Sequence, residues 1–342
     1  MSANSANSVM TAAPETVGHL RIPYLYQYWR RMIAAGTGPR EDSGEWDLEN
    51  TLLSGLGINL LEAAKFFSAC RPSFDDLERW ILATSGEVPI DAELERLRGA
   101  LDGRAVTSAA GCLDNVAGLT AEELAFWDEN GYVVLHDAVD EADRDAAAAA
   151  VYEMLDARPD DSESWYRDKF GRTIWIPVLR HPAFVANRKA PRVVKAFAQL
   201  WGREDLWPLI DQGGFNPPER EGWRFPGPHI HWDMTLSPPH CFGVQGILYL
   251  TDTPADQGAF SCVPGFHLRL ERWLRELPEG ANPREAIRSY AEMTPVAGRA
   301  GDLVIWHHAL PHGSSPNRGR LPRVVQYMTL RPTRWAYTAE WI

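Results

Sequence analysis

Residues 301–330 read GDLVIWHHALPHGSSPNRGRLPRVVQYMTL. Two short runs of β-branched, apolar and aromatic residues, Asp302–His307 and Val324–Leu330, flank a stretch dense in Pro, Gly, Ser and Asn. That is the pattern of two strands and their connection. Working back toward the N-terminus, three runs of the same kind occur at Leu206–Ile210, Phe242–Leu250 and Phe260–Val263, bounded by Pro, Gly or Asp. Strands that follow helical segments, rather than alternating with them, predict antiparallel sheets. The expected class is α+β: a jelly roll (double-stranded β-helix) with flanking helices, and not a doubly wound parallel sheet.

Upstream of the strands the punctuation is helical. Thr120 and Glu123 have capping-box spacing, Leu124 and Trp127 supply an apolar face, Gly131 suits a helix end, and Tyr132–Leu135 reads as a strand. Asp140 is placed to cap a second helix, whose Ala146–Ala150 run with Val151, Met154 and Leu155 suits burial against a sheet. From Ile22 to Gly103 the expectation is several short helices. These are a Tyr/Trp-rich segment at Pro23–Ala35, then, after a polar loop through Gly44, Leu60–Phe67. A helix capped by Ser73 with Asp76 carries Leu77, Trp80 and Ile81, and Ala92–Leu101 places Leu94, Leu97 and Leu101 on one face. Residues 104–118 are mostly small and without period. The expected organisation is a disordered tail over 1–15, a helical extension over 16–118 and a jelly-roll domain over 119–342. Within the extension, Pro23–Trp29 could cover a pocket mouth or form a subunit interface, against simple core packing of an amphipathic helix.

A chain of 342 residues, 45% hydrophobic and 23% charged, can bury a sizeable core and is not disordered. Its 34 basic and 46 acidic residues sum to −12, which disfavours nucleic acid and anionic membrane as partners and points to a small molecule. No run approaches the roughly 20 apolar residues of a membrane span, and the opening MSANSANSVM lacks the pattern of a secretory signal, so the expected location is cytoplasmic. Cys70, Cys112, Cys241 and Cys262 lie too far apart in sequence to suggest a disulfide scaffold or a thiolate zinc site. Of 14 Trp residues, all but Trp29, Trp46 and Trp80 follow position 118, which places an aromatic core or pocket wall in the C-terminal segment.

The densest polar cluster is Pro228-His-Ile-His231-Trp-Asp233. In an extended strand residues two apart share a face, so His231 and Asp233 can present an imidazole and a carboxylate to one metal. His312, at a loop end beside Gly313, offers a second imidazole. Two histidines and a carboxylate are the set that holds non-haem Fe(II) with open coordination positions. An HxD pair alone arises by chance in a chain with ten His. Its weight comes from the conjunction with His312 and with Arg323, which opens the next strand and can grip a dicarboxylate in a bidentate pair.

Four stretches in this order carry a resemblance: FWDENGYVVL (Phe126–Leu135), His231-Trp-Asp233, LTDTPADQGAFSCVPGFH (Leu250–His267) and GDLVIWHHALPHGSSPNRGRLPR (Gly301–Arg323). They resemble the phytanoyl-CoA hydroxylase (phytanoyl-CoA dioxygenase) family of Fe(II)- and 2-oxoglutarate-dependent dioxygenases over residues 120–331. The resemblance implies that His231, Asp233 and His312 are the catalytic iron ligands. It implies that Arg323 pairs with the far carboxylate of 2-oxoglutarate and that the Ser314 hydroxyl supports the same carboxylate. Gln245 and Trp306 become pocket walls. Dioxygen is the third reactant, carbon dioxide and succinate are released, and hydroxylation of a small molecule is the usual outcome, here with specialised metabolism as the preferred setting. Retention of Asp233 argues against halogenation.

Two positions depart from the family. Asn216 stands before Pro217-Pro218 where a Lys is frequent, and Phe266 replaces the Ser of the proline-glycine-serine-histidine turn. Two other readings compete: a cupin-like metalloenzyme using His229, His231 and His312 without 2-oxoglutarate, and a catalytically silent binding member of the fold. Of His307 and His308, at most one is expected to line the site. Asp205, Asp211, Glu219 and Glu221 read as solvated surface, as do Arg318 and Arg320. Lys169 and Arg180, flanking Trp175, read as surface charges or contacts to an anionic substrate.

Overall fold

The computed structural model describes residues 18–35, 45–86, 91–106, 111, 113–167 and 169–338. The expected tail over 1–15 and most of the polar loop through Gly44 lie outside the described residues. The chain divides into two compact units between Arg104 and Ala105. Leu113 and Leu119 are buried in the core of the second unit, so the division falls earlier than the expected boundary near 118.

The first unit holds helices α1 (Pro23–Ala35), α2 (Trp46–Gly55), α3 (Leu60–Ala69), α4 (Phe74–Ser85) and α5 (Asp91–Leu101). Ser73 and Asp76 form the expected capping box at the start of α4, and Asn59 with Glu62 forms another at α3. Leu25 and Tyr28 of α1, Leu52, Leu77 and Leu97 are buried in this unit. Leu101 is only partly buried, so the apolar face of α5 is narrower than expected.

The second unit opens with α6 (Ala121–Asn130) and β1 (Tyr132–Leu135), where Thr120, Glu123 and a left-handed Gly131 act as expected. Asp140 occupies the N-cap of α7 (Glu141–Met154), but its side chain makes no capping hydrogen bond. Acidic residues in the first turn, Glu141 and Asp143, favour that helix end instead. There follow β2 (Trp175–Ile176), α8 (Pro182–Lys189), α9 (Pro191–Trp201), β3 (Leu206–Pro208), β4 (Gly213–Asn216), β5 (Val244–Tyr249) and β6 (Phe260–Cys262). The unit ends with α10 (Leu270–Glu276), α11 (Pro283–Tyr290), β7 (Thr294–Pro295), β8 (Leu303–His307), β9 (His312–Ser314), β10 (Arg323–Met328) and β11 (Leu330–Pro332). Among the described residues no helix is long and apolar enough to cross a membrane.

The strands pair antiparallel throughout, in a six-stranded sheet of order β1-β8-β5-β10-β4-β2, a three-stranded sheet β7-β6-β9 and the pair β11-β3. Alternation along the long strands sorts their side chains onto two faces. Val244 and Leu248 of β5, Leu303 and Ile305 of β8, and Val324 and Met328 of β10 share a core with Val151, Phe184 and Phe197 of the helices α7, α8 and α9. The intervening residues Ile247, Tyr249, Val304, Trp306 and Val325 share a second core with Phe260 and Cys262 of β6 and with Trp232. A period of two therefore assigns Gln245, Trp306, Arg323 and Tyr327 to the face turned toward the smaller sheet.

Strands β4 and β9 carry no local β signal. β4 begins Gly213-Gly214, and a Cβ at Gly214 would come within 2.7 Å of Val325 Cγ2, so close packing against β10 requires glycine there. β9 contains His312, expected at a loop end; its pairing with β6, with His312 opposite Cys262, makes it a strand.

Candidate metal centre

His231 is not in a regular strand. It forms an isolated antiparallel bridge with His312, each backbone amide donating to the other's carbonyl at 2.9 Å. Asp233 follows in a bend, so its approach to His231 comes from this local fold and not from strand alternation. The three side chains nevertheless converge. His231 Nε2 lies 3.3 Å from one carboxylate oxygen of Asp233, and His312 Nε2 lies 3.4 Å from the other. One donor atom from each residue falls within 4.8 Å of the other two, the spacing of a set that can hold one metal ion.

The imidazoles are oriented by their other nitrogens. Nδ1 of His231 lies 2.7 Å from the carbonyl of His229, and Nδ1 of His312 lies 2.9 Å from that of Leu310. With Nδ1 donating to these carbonyls, Nε2 is the nitrogen of each ring that faces Asp233 and the one that would give its lone pair to a metal. Gln245 on β5 donates from Nε2 to Asp233 Oδ2 at 2.9 Å, and the Asp233 side chain, 48% exposed, opens onto the adjacent pocket. Burial works to raise the Asp233 carboxyl, but hydrogen bonds and charge from the two histidines outweigh it and hold the group far below the usual carboxylate range. For His231 burial works downward, and the Asp233 carboxylate reverses it to a net rise.

A pocket of about 220 Å³ reaches this cluster and is lined by His231, Asp233, His312, Ser314, Gln245 and Trp306, among others. Behind Ser314 sits Arg323, fully buried, with Nη1 donating to the Ser314 hydroxyl at 2.8 Å and to the Gly258 carbonyl at 3.0 Å. Its Nε and Nη2 have no hydrogen-bond partner among the described residues. A buried guanidinium with unpaired donors is costly unless an anion meets it. These features fit both groups that the donor chemistry implies: a divalent iron on the His-Asp-His set, and a carboxylate at Arg323 and Ser314.

Trp306 is buried against Phe260 and His312, with ring centroids 4.3 and 5.1 Å away, and its indole Nε1 is also unpartnered. His229 is exposed and outside the three-residue cluster; its carbonyl, not its ring, serves the site. Neither His307 nor His308 lines the pocket. Burial pushes them down to about 3 and about 4, and they pack among Trp127, Phe242, His267 and the Cys241 carbonyl. Phe266 is buried against Trp232 and Trp273, so its departure from Ser fills an aromatic core. Asn216 lies opposite Arg323 in the β4–β10 register and donates to the Ser315 carbonyl.

Lys169 pairs with Asp156 at 2.7 Å, outside the pocket, whereas Trp175 lines it. Arg318 and Arg320 are exposed as expected. Asp205 pairs with Arg203, and Glu219 accepts from the Phe225 amide. Asp211 is not solvated surface: it is part of the pocket lining. Sequence reading missed it because a single acidic residue between short strands carries no local mark of a cavity.

A family model described as phytanoyl-CoA dioxygenase (PhyH) matches residues 127–325. A Dictyostelium discoideum protein named "Putative phytanoyl-CoA dioxygenase" is 21% identical over 265 residues, covering 61% of this chain and 74% of that one. Among solved structures, the non-heme alpha-ketoglutarate-dependent carbocyclase SnoK from nogalamycin biosynthesis is 21% identical with a TM-score of 0.46, covering 66% of this chain and 87% of its own. HygX from Streptomyces hygroscopicus, with nickel and 2-oxoglutarate bound, is 20% identical with a TM-score of 0.47, covering 64% and 88%.

Proposed function

Because this chain belongs to the phytanoyl-CoA dioxygenase family, we propose that it is a non-haem Fe(II)- and 2-oxoglutarate-dependent dioxygenase that hydroxylates a small molecule, in specialised metabolism. Its two facing sheets are read as the jelly roll of such enzymes. His231, Asp233 and His312 hold the iron, and Arg323 with Ser314 holds the far carboxylate of the cosubstrate. One observation carries the reading: a His-Asp-His donor set lines a pocket together with Ser314, whose hydroxyl is bonded from behind by a buried arginine with two unpaired donors. A cupin-like site without 2-oxoglutarate would have no need of Arg323, and a silent binding member would have no need of the open donor set.

When bound, iron and 2-oxoglutarate supply the activation of dioxygen, with succinate and carbon dioxide as co-products. The chain's own residues do the positioning. Gln245 fixes one oxygen of Asp233, the Nδ1 contacts fix the imidazole planes, and Trp306 with Phe260 walls the cluster with aromatic surface. Anaerobic addition of Fe(II) and then 2-oxoglutarate to the apoprotein is expected to produce the visible charge-transfer band of the chelate. Asp233→Ala is expected to lose it, and Arg323→Ala to weaken 2-oxoglutarate binding about a hundredfold, as loss of two or more charge-assisted hydrogen bonds implies. Bound iron with no band in the native protein would refute the reading.

A further inference from the structure

The pocket has a second polar region besides the metal cluster. Asp211 and Gln212, in the connection between β3 and β4, line it together with Thr329, Tyr327 and Trp175. This wall is stitched to the sheet. Leu209 donates to the Thr329 carbonyl at 2.8 Å and Tyr327 donates to the Gln212 carbonyl at 3.0 Å, while Trp175 pairs with Gly214 of β4. Fixed backbone of this kind holds a recognition group in place without a mobile loop.

Asp211 Oδ2 is buried and has no hydrogen-bond partner among the described residues. Arg188, the cation whose charge acts on Asp211 most, spends Nη1 on the Leu179 carbonyl at 2.7 Å and Nη2 on the backbone carbonyl of Asp211 itself. Arg331, whose charge reaches both Asp211 and Asp233, lies over the Trp335 ring at 5.1 Å. Burial raises the Asp211 carboxyl above its ordinary value, and the charge of Arg188 and hydrogen bonding from Thr329 offset only part of that rise. An unpaired buried carboxyl oxygen is expensive in a closed core, and on a residue that lines a pocket it is an acceptor that a bound donor would meet after a small turn of the side chain. The remaining wall is largely apolar and aromatic, from Ile247, Phe260, Trp306, Tyr327 and Trp175. At about 220 Å³ the space is below the roughly 300–1,000 Å³ of drug-sized sites and is shared with the metal cluster and Ser314, so the group it can take beside them is small.

We infer that Asp211, supported by Thr329, is the specificity-determining group of this pocket, and that it takes a hydrogen-bond donor, a hydroxyl or a protonated amine, carried on a compact apolar body. The inference rests on the oxygenase reading only in calling that body the substrate. Asp211 orients it by one charge-assisted hydrogen bond, and the aromatic wall excludes water around the rest.

The test uses three probes with one ring: cyclohexanol, cyclohexylammonium and cyclohexanone, which accepts but does not donate. Binding to the full chain, both as apoprotein and loaded with Zn(II) and 2-oxoglutarate, is followed by saturation-transfer NMR titration. At least one donor probe is expected to bind about tenfold more tightly than the ketone, a preference lost in Asp211→Leu, as removal of one charge-assisted bond implies. Asp211→Asn separates the two donors, since it abolishes the preference for ammonium and keeps part of that for the alcohol. Should the Asp211 variants not fold, Thr329→Val is expected to reduce the preference several-fold. Equal binding of ketone and donors by the native chain, or a preference unchanged in the folded variants, overturns the inference. The native charge-transfer band is recorded separately. Its absence with discrimination intact retires the oxygenase reading alone, and its presence without discrimination retires the Asp211 subsite alone.

Discussion

His231 and His312 are backbone partners as well as side-chain neighbours: their amides and carbonyls exchange two hydrogen bonds of 2.9 Å, and their rings lie 4.6 Å apart. The spacing of the two imidazoles is thus set by the main chain, which is stiffer than any side-chain packing.

That pairing depends on Gly313. A Cβ there would stand 2.7 Å from the His229 carbonyl oxygen and 2.9 Å from that of Pro228, and backbone cannot yield as a side chain can. Gly313→Ala is expected to destabilise the fold by about 1–3 kcal/mol and to weaken iron binding by prising the two histidines apart. Urea unfolding and an anaerobic iron titration measure the two effects, and undiminished iron affinity would show that the backbone bridge is dispensable.

Arg284 on α11 holds the segment that carries Asp233. Its Nη1 donates to the Trp232 carbonyl at 2.8 Å and its Nη2 to the Met234 carbonyl at 2.7 Å, bracketing Asp233. Arg284→Ala is expected to lower iron affinity about tenfold, the worth of one charge-assisted hydrogen bond. Arg284→Lys, which can serve one carbonyl at a time, should fall between. A thermal melt that drops with no change in iron affinity would assign Arg284 to stability alone.

Phe266 tests the departure from the family's turn. Its ring is fully buried, with centroids 5.9 Å from Trp232 and 5.4 Å from Trp273. Phe266→Ser removes a large apolar group and buries a hydroxyl, so the expected cost is about 3–5 kcal/mol. The paired variant Trp273→Ala should not add its full effect, because both changes open one cavity. Additive losses in a denaturation series would show that the two rings are independent.

His307 and His308 are expected to make the fold acid-sensitive. Burial holds them neutral, at about 3 and about 4, below the ordinary histidine value of 6.5. Below pH 6.5 the unfolded chain takes up protons that the folded chain refuses, so stability falls as the pH drops from 6.5 toward 4 and 3. The limiting slope is about 1.4 kcal/mol per pH unit for each group. His307→Phe, in surroundings already formed by Trp127 and Phe242, should flatten the decline in unfolding free energy between pH 6.5 and 5, whereas an unchanged slope would place the acid sensitivity elsewhere.

Much of the architecture is legible from local signals. Thr120, Glu123 and Gly131 mark the ends of α6, Ser73 with Asp76 marks the start of α4, and β1 spans the four residues expected of it. These signals work because capping bonds and left-handed glycines act within a few residues. Strand β4 escaped notice because Gly213 and Gly214 have no side chain on which a strand propensity could act. His312 was recognisable by type and spacing, yet its strand exists only because β6 lies beside it.

The same division runs through the site. As candidates, His231, Asp233, His312 and Arg323 were legible from residue type and order along the chain, and Ser314 only through the family resemblance. The tertiary structure alone decided that His231 bridges His312, that Arg323 is buried with two donors unpaired, that His229 stays outside the three-residue cluster and that Asp211 lines the pocket. The physical reason is range. Donor chemistry belongs to a single side chain and is written in its residue type, whereas burial and convergence belong to pairs of segments far apart in sequence and exist only once the sheets have packed.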